Sequence, residues 1–118
     1  MSFYAFKGFD ENLKCRGFQY EVGKTYSMPE KPETCVKGFH CCTNLSDVFQ
    51  YYPPWTWAVG WNGFLIPGTH CSPSGNRYCL VEVCGDVDFS YSSKIATNRI
   101  KIIQELFLKD VTNISNEN

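Results

Sequence analysis

The sequence predicts a small α+β domain, in which a twisted, mainly antiparallel sheet carries one main helix, at about residues 44–52, on one face. The chain has 118 residues, which is enough for one hydrophobic core but too few for two. Several short segments alternate between apolar and polar residues, whereas one segment shows a clear helical period. Strands interrupted by one helix favour a sheet with a helix on one face over a doubly wound sheet.

Composition and charge indicate one folded domain over residues 1–118. Hydrophobic residues make up 43% of the chain and charged residues 19%, far from the composition of disordered chains. The net charge of −1 gives the chain as a whole no attraction for a polyanion, so nucleic acid is not an expected partner. The first residues lack the pattern of a secretory signal, and no stretch is long enough to span a bilayer. We therefore expect a cytoplasmic protein without a membrane partner.

Five segments have the apolar alternation or the short apolar run of a strand. They are 2–9, 16–22, 35–42, 78–85 and 99–106. In the fourth, Leu80 and Glu82 alternate with Val81 and Val83, and the fifth alternates through its isoleucines. Because successive side chains of a strand point to opposite faces, each of these two segments is expected to bury one face in the core.

The predicted helix is followed by a segment of different composition. Its apolar residues Leu45, Val48, Phe49 and Tyr52 recur at helical spacing, with Thr43 or Asn44 as the cap. Two prolines end it. An irregular aromatic insertion is predicted at about 55–76, and a frayed tail at about 112–118.

Seven cysteines and a histidine beside two of them raise the question of a metal site. Thiolates and imidazole are the usual ligands of tetrahedral zinc, and the candidate set is Cys15, Cys35, His40 and Cys41. The spacing differs from that of structural zinc sites, in which two ligand pairs each stand two to four residues apart. Buried, reduced thiols and a structural histidine are therefore expected, with a zinc-stabilised structural module as the alternative.

The candidate binding residues are aromatic and basic. Tryptophan and tyrosine supply much of the energy of protein interfaces and also stack on bases. Packing inward as a local core under a long loop is an equal alternative for these rings. Arg16 is a candidate contact for an anionic ligand. The predicted binding residues are Arg16, His40, Tyr51, Trp55, Trp57 and Trp61. We expect no catalytic residues, because the sequence contains no nucleophile elbow, phosphate-binding glycine loop or metalloprotease helix.

The segments KCRGFQYEVGKTY, CVKGFHCC, DVFQYY, VEVCGDV and SKIATNRIKIIQEL, in this order, resemble an uncharacterised domain family of phage and prophage proteins. Members often carry the module ahead of short glycine- and asparagine-rich repeats. The resemblance covers Phe3 to about Asp110. The family supplies no known activity. The resemblance, together with the lack of a catalytic set and the surplus of aromatic residues, leads us to expect a non-catalytic phage accessory protein. We expect it to bind a host protein or a small nucleotide ligand and to act in counter-defence, as an inhibitor or ligand sponge. The positions that match its motifs are Cys15, Arg16, Gly17, Cys35, Gly38, Phe39, His40 and Cys41.

A second resemblance gives an enzymatic alternative. The segment GFHCCTNLSDVFQYY is similar to the strand and following helix of ADP-ribosyltransferases. This likeness implies NAD as a cofactor and a host protein as the modified target. Lys7 or Arg16 would bind the dinucleotide together with His40, and Glu105 would orient the acceptor. The alternative catalytic residues are therefore Glu105 and His40.

Overall fold

The computed structural model describes residues 2–54, 75–90 and 93–107, and it confirms the predicted α+β class. Its strands are β1 (Phe3–Phe9), β2 (Lys14–Cys15), β3 (Phe18–Gln19), β4 (Thr25–Ser27), β5 (Phe39–Cys41), β6 (Arg77–Val83), β7 (Val87–Asp88), β8 (Ile95–Thr97) and β9 (Arg99–Leu106). The helix is α1 (Leu45–Tyr51). Among these residues, no helix is long and apolar enough to cross a membrane.

The main sheet has four antiparallel strands in the order β1-β6-β9-β4. The predicted alternation is confirmed on its two long central strands. Val81 and Val83 of β6 are fully buried, as are Ile100 and Ile102 of β9. These side chains form the core on one face of the sheet, and the β2–β3 hairpin contributes to the same core.

A smaller antiparallel sheet, in the order β5-β8-β7, lies next to the main sheet. The two sheets are joined where Phe6 of β1 and Cys42 exchange backbone hydrogen bonds of 2.7 and 2.8 Å. This bridge places β5 beside β1. The residues that follow β5 therefore lead directly into α1 at the edge of the main sheet.

Helix α1 packs against the other face of β1, where the sequence provides a glycine. A Cβ atom at Gly8 would lie 2.7 Å from a ring carbon of Tyr52 and 2.8 Å from a methyl group of Val48. Real Cβ contacts are not this short, so the approach of the helix depends on this glycine. The helix is one residue shorter at each end than predicted, and Asn44 occupies the N-cap position without a side-chain hydrogen bond.

Two predicted strands are largely replaced by turns. The segment 16–22 was expected to be one strand, but residues 16 and 17 form a turn between β2 and β3, and Val22 is exposed. The segment 35–42 was also expected to be continuous. Cys35 adopts a positive φ of 72° in a turn closed by an isolated bridge between Glu33 and Lys37, so β5 begins only at Phe39. The predicted tail and nearly all of the predicted aromatic insertion lie outside the described residues.

We predict that Gly8→Ala lowers the free energy of unfolding by about 1–3 kcal/mol, the usual cost of adding a methyl group to a well-packed site. The cause is overlap with Val48 and Tyr52. Chemical denaturation of Gly8→Ala, Val48→Ala and the double variant measures the coupling between positions 8 and 48. Because Val48→Ala removes one of the overlapping methyl groups, the double variant should be less destabilised than the sum of the two single variants. Strictly additive losses would contradict this packing.

Candidate functional site

A cavity of about 510 Å³ is bounded by β1, the β2–β3 turn, β5, α1 and the residue that precedes β8. Its volume is in the ordinary range of small-molecule sites. The polar side chains that line it are mainly basic or hydroxylic, namely Lys7, Arg16, His40, Tyr51, Tyr52 and Lys94. Among the residues of the structure that line it, none is aspartate or glutamate. This charge distribution favours a negatively charged ligand.

Lys7 lies at the base of the cavity and is only 2% exposed. The alternation of β1 points it to the same face of the sheet as Phe9. Its Nζ donates to the backbone carbonyl of His40 at 2.5 Å and lies 3.5 Å from the Sγ atom of Cys15. It also lies over the rings of Phe9 and Tyr20, 5.7 and 5.1 Å from their centroids. Within the described ranges it forms no ion pair with a carboxylate.

Arg16 reaches the cavity from a two-residue turn. Cys15 pairs with Phe18, and Arg16 and Gly17 between them have φ values of 54° and 82°. Positive φ at both positions characterises the type I′ hairpin turn, whose first central position favours asparagine, aspartate or glycine. Arginine is strained there. Its guanidinium is exposed and forms no hydrogen bond or ion pair with any residue that the structure describes.

Lys94, the residue that precedes β8, is the third cation of the cavity. Its Nζ lies 4.6 Å from the centroid of the Tyr51 ring. The Tyr51 hydroxyl is in turn 3.0 Å from the Oγ atom of Ser93. The helix and the start of β8 are thus connected across one side of the cavity, and this connection positions both Lys94 and Tyr51.

His40 lines the cavity as a neutral side chain that is held in place by a hydrogen bond. Its Nε2 accepts a 2.8 Å hydrogen bond from the backbone N–H of Cys35. Burial, followed by the neighbouring charges of Lys7, Lys94 and Arg16, lowers the pKa of His40 to about 4. Because Nε2 is already an acceptor, it is not free to take a proton from a substrate or to bind a metal. In this arrangement the histidine holds the turn before β5.

The thiols of Cys41 and Cys42, which line the cavity, are protonated. Burial raises the pKa of Cys41 to about 12 and that of Cys42 to about 11. Cys15 is buried and accepts a 3.2 Å hydrogen bond from the Tyr52 hydroxyl. The thiolate is the nucleophilic form of cysteine, so Cys41 and Cys42 are unreactive in this environment.

The structure does not assemble the alternative zinc site. Cys35 is exposed in its turn, whereas Cys15 and Cys41 are buried. The Nε2 atom of His40 faces the Cys35 backbone, not a thiol. In residues 2–54, 75–90 and 93–107, no three histidine, cysteine, aspartate or glutamate side chains are placed to hold a metal ion.

Three of the predicted binding residues, Arg16, His40 and Tyr51, line the same cavity. The predicted residues Trp55, Trp57 and Trp61 lie outside the described residues. Glu105 lies on β9, where Arg77 binds both of its carboxylate oxygens at 2.6 and 2.7 Å, and it does not line this cavity.

Sequence reasoning missed Lys94, because nothing in its local sequence connects it to the other cations. Lys7 entered only through the resemblance to ADP-ribosyltransferases. A direct signal was present for it, since a lysine stands between Ala5 and Phe9 at a position that the strand period points into the core.

A family model described as Domain of unknown function (DUF7666) matches residues 3–114. The chain belongs to this family. The prediction of an uncharacterised domain family is thereby confirmed, and the match extends over both sheets, α1 and all the residues that line the cavity. No curated protein and no solved structure shows significant similarity to the chain.

We predict that His40 titrates near pH 4 in the folded protein, because burial and three nearby cations disfavour its charged form. NMR titration of the imidazole measures this pKa, and His40→Gln assigns the signal. Between pH 6.5 and 4 the unfolded chain binds more protons at this position than the folded chain. The free energy of unfolding therefore falls as the pH is lowered through that window, and His40→Gln should reduce this fall. An imidazole that titrates near 6.5 would contradict the described environment.

Proposed function

We propose that this protein is a non-catalytic binding module that holds a small anionic ligand, of the phosphate-bearing kind found in nucleotides, in the cavity beside β1. One observation carries the proposal. Lys7, Arg16 and Lys94 converge from three separate elements on a cavity whose described lining contains no acidic side chain.

The three cations offer complementary contacts to a phosphate group. Lys7 is held in place by the His40 carbonyl and two rings, so little side-chain freedom remains to be lost on binding. Arg16 presents five N–H donors in a planar fork that matches phosphate oxygens. Lys94 adds a point charge next to the ring of Tyr51.

The chemistry of the cavity supports binding more than turnover. A general base needs a free lone pair and a pKa near the working pH, and His40 lacks both. A cysteine nucleophile needs a thiolate, and burial keeps Cys41 and Cys42 protonated. The alternative of an ADP-ribosyltransferase-like enzyme has less support, because Glu105 is paired with Arg77 away from the cavity. It stays a prediction, which incubation with NAD and a host lysate tests.

The biological setting is part of the same proposal. The motif series that resembles phage and prophage proteins suggests that the module acts in the cytoplasm of a host cell. There it would sequester a nucleotide on which host defence depends, as a ligand sponge. Binding of a host protein through the tryptophans of the insertion stays the alternative prediction, since those residues lie outside the described part of the chain.

We predict that Arg16→Asn separates binding from folding. Asparagine suits a turn position with positive φ better than arginine, so the free energy of unfolding should stay the same or rise by roughly 0.5 kcal/mol. The affinity for ADP and for pyrophosphate should fall roughly tenfold, the effect of losing one charge-assisted contact. Isothermal titration calorimetry measures the affinity, and thermal and chemical denaturation measure the stability.

Lys31→Asn is the matched control. Lys31 is exposed and lies outside this cavity, and its substitution removes the same charge as Arg16→Asn. Its affinity for both probes should equal that of the unmodified protein. Equal losses in the two variants would indicate a general charge effect and contradict the site. Failure of the unmodified protein to bind any phosphate-bearing probe would reject the proposed function.

We further predict that pyrophosphate raises the pKa of His40 from about 4 toward its ordinary value. The cations that help to lower this pKa would be partly neutralised by the bound anion. NMR titration of the His40 imidazole with and without pyrophosphate measures the change, and chloride at the same ionic strength is the control. The shift should be smaller in Arg16→Asn. An unchanged pKa under saturating pyrophosphate would place the anion elsewhere.

A further inference from the structure

A second cavity, of about 650 Å³, adjoins the first and shares part of its wall. The residues common to both are Lys7, Cys15, Arg16 and His40. Where the first cavity is lined by cations and hydroxyls, the second is lined by the rings of Phe18, Tyr20, Tyr26 and Phe39. Again, no aspartate or glutamate is found among the described residues of its lining.

The four rings form one contiguous cluster with an open side. Phe18 lies edge-to-face against Tyr20 and Tyr26, with ring centroids 4.8 and 5.5 Å apart. Phe39 completes the cluster at 6.2 to 6.4 Å from the other three rings. Tyr20 is buried, whereas Phe18, which follows the Arg16–Gly17 turn, is 46% exposed. Within the described structure the cluster therefore presents one exposed ring, Phe18, backed by three rings that are buried or half-buried.

The edge strand β4 forms part of the wall of the second cavity, and its backbone offers hydrogen-bonding groups. On the side that faces β9, the Ile102 N–H donates to the Lys24 carbonyl. The Met28 N–H donates to the carbonyl of Asn98, the residue before β9. Bonded and non-bonded pairs alternate along an antiparallel ladder. The backbone groups of Thr25 and Ser27 therefore point away from β9, at the rim of the second cavity.

From this geometry we infer that the second cavity receives the base of the nucleotide whose phosphate lies in the first. The inference rests on the proposed function. A planar, uncharged heterocycle matches exposed aromatic rings and backbone polar groups, and every base has a face that stacks. Arg16 stands at the shared wall, where its guanidinium reaches phosphate oxygens on one side and borders the ring cluster on the other. The ligand class is therefore a nucleotide, in preference to a sugar phosphate or a free anion.

The test compares probes that differ by the base. Isothermal titration calorimetry is carried out with ADP, GDP, CDP and UDP, with ribose 5-phosphate and with pyrophosphate. At least one nucleotide should bind more tightly than ribose 5-phosphate and pyrophosphate by roughly tenfold or more, the contribution of one stacked base. Its binding should also give upfield ring-current shifts of the Phe18 and Tyr26 signals in NMR spectra.

Phe18→Ala should weaken nucleotide binding roughly tenfold while leaving pyrophosphate binding unchanged. Phe18→Tyr keeps a ring and should retain the affinity. Phe89→Ala is the control for loss of an exposed phenyl ring elsewhere, since Phe89 is 63% exposed and lines neither cavity. Thermal denaturation confirms that each variant is folded.

The outcomes distinguish the two proposals. If pyrophosphate and nucleotides bind equally well, or if Phe18→Ala weakens both to the same extent, the inference about the base is wrong and the anion site stands. If no phosphate-bearing probe binds, the proposed function itself is rejected. Preference for a nucleotide that is lost in Phe18→Ala and kept in Phe18→Tyr supports the inference.

Discussion

The buried ammonium group of Lys7 joins three parts of this fold at one point. Its backbone belongs to β1, its Nζ donates to β5 at the His40 carbonyl, and it contacts Cys15 of the hairpin. A cation that is 2% exposed and has no carboxylate partner in the described structure is costly to bury, and the rings of Phe9 and Tyr20 offset part of that cost. The same group faces the cavity. The contact that fixes the position of the hairpin relative to the two sheets is therefore also the one that gives the cavity its charge.

The hairpin turn places local strain at a proposed binding residue. Arg16 occupies a position where its positive φ is unfavourable, although asparagine or glycine would fit without strain. The hairpin begins directly after a supported turn, in which the Asp10 carboxylate accepts from the N–H groups of Asn12 and Lys14. A strained residue in a hairpin that is anchored in this way is typical of sites where the side chain is required for its chemistry. The strain at Arg16 is therefore expected if the turn gives up some stability in order to place a guanidinium at the cavity.

Much of the fold followed from the sequence, because the longest strands follow the rule of alternation. Burial of Val81, Val83 and Ile100 is a direct consequence of a period of two. The prediction of one strand over 16–22 was wrong for a physical reason. The alternation of Phe18 and Tyr20 indicates a strand, but it does not reveal that Arg16 adopts a positive φ and starts a tight turn. The cavity was only partly foreseen. Arg16 and His40 were named from their motif, whereas Lys94 joins them through strand pairing between β5 and β8, a long-range contact that no local pattern encodes.

The difference between local and overall charge also bears on the ligand. The chain carries 12 acidic and 11 basic side chains, so its net charge of −1 gives no attraction for a long polyanion. Within the cavity the described charges are all positive, and solvent and salt screen the buried Lys7 less than they screen an exposed group. A small anion that enters meets only the local field, whereas a nucleic acid strand would also lie against the acidic remainder of the surface. If the cavity holds one phosphate-bearing molecule as proposed, the same arrangement therefore disfavours the polymer built from it.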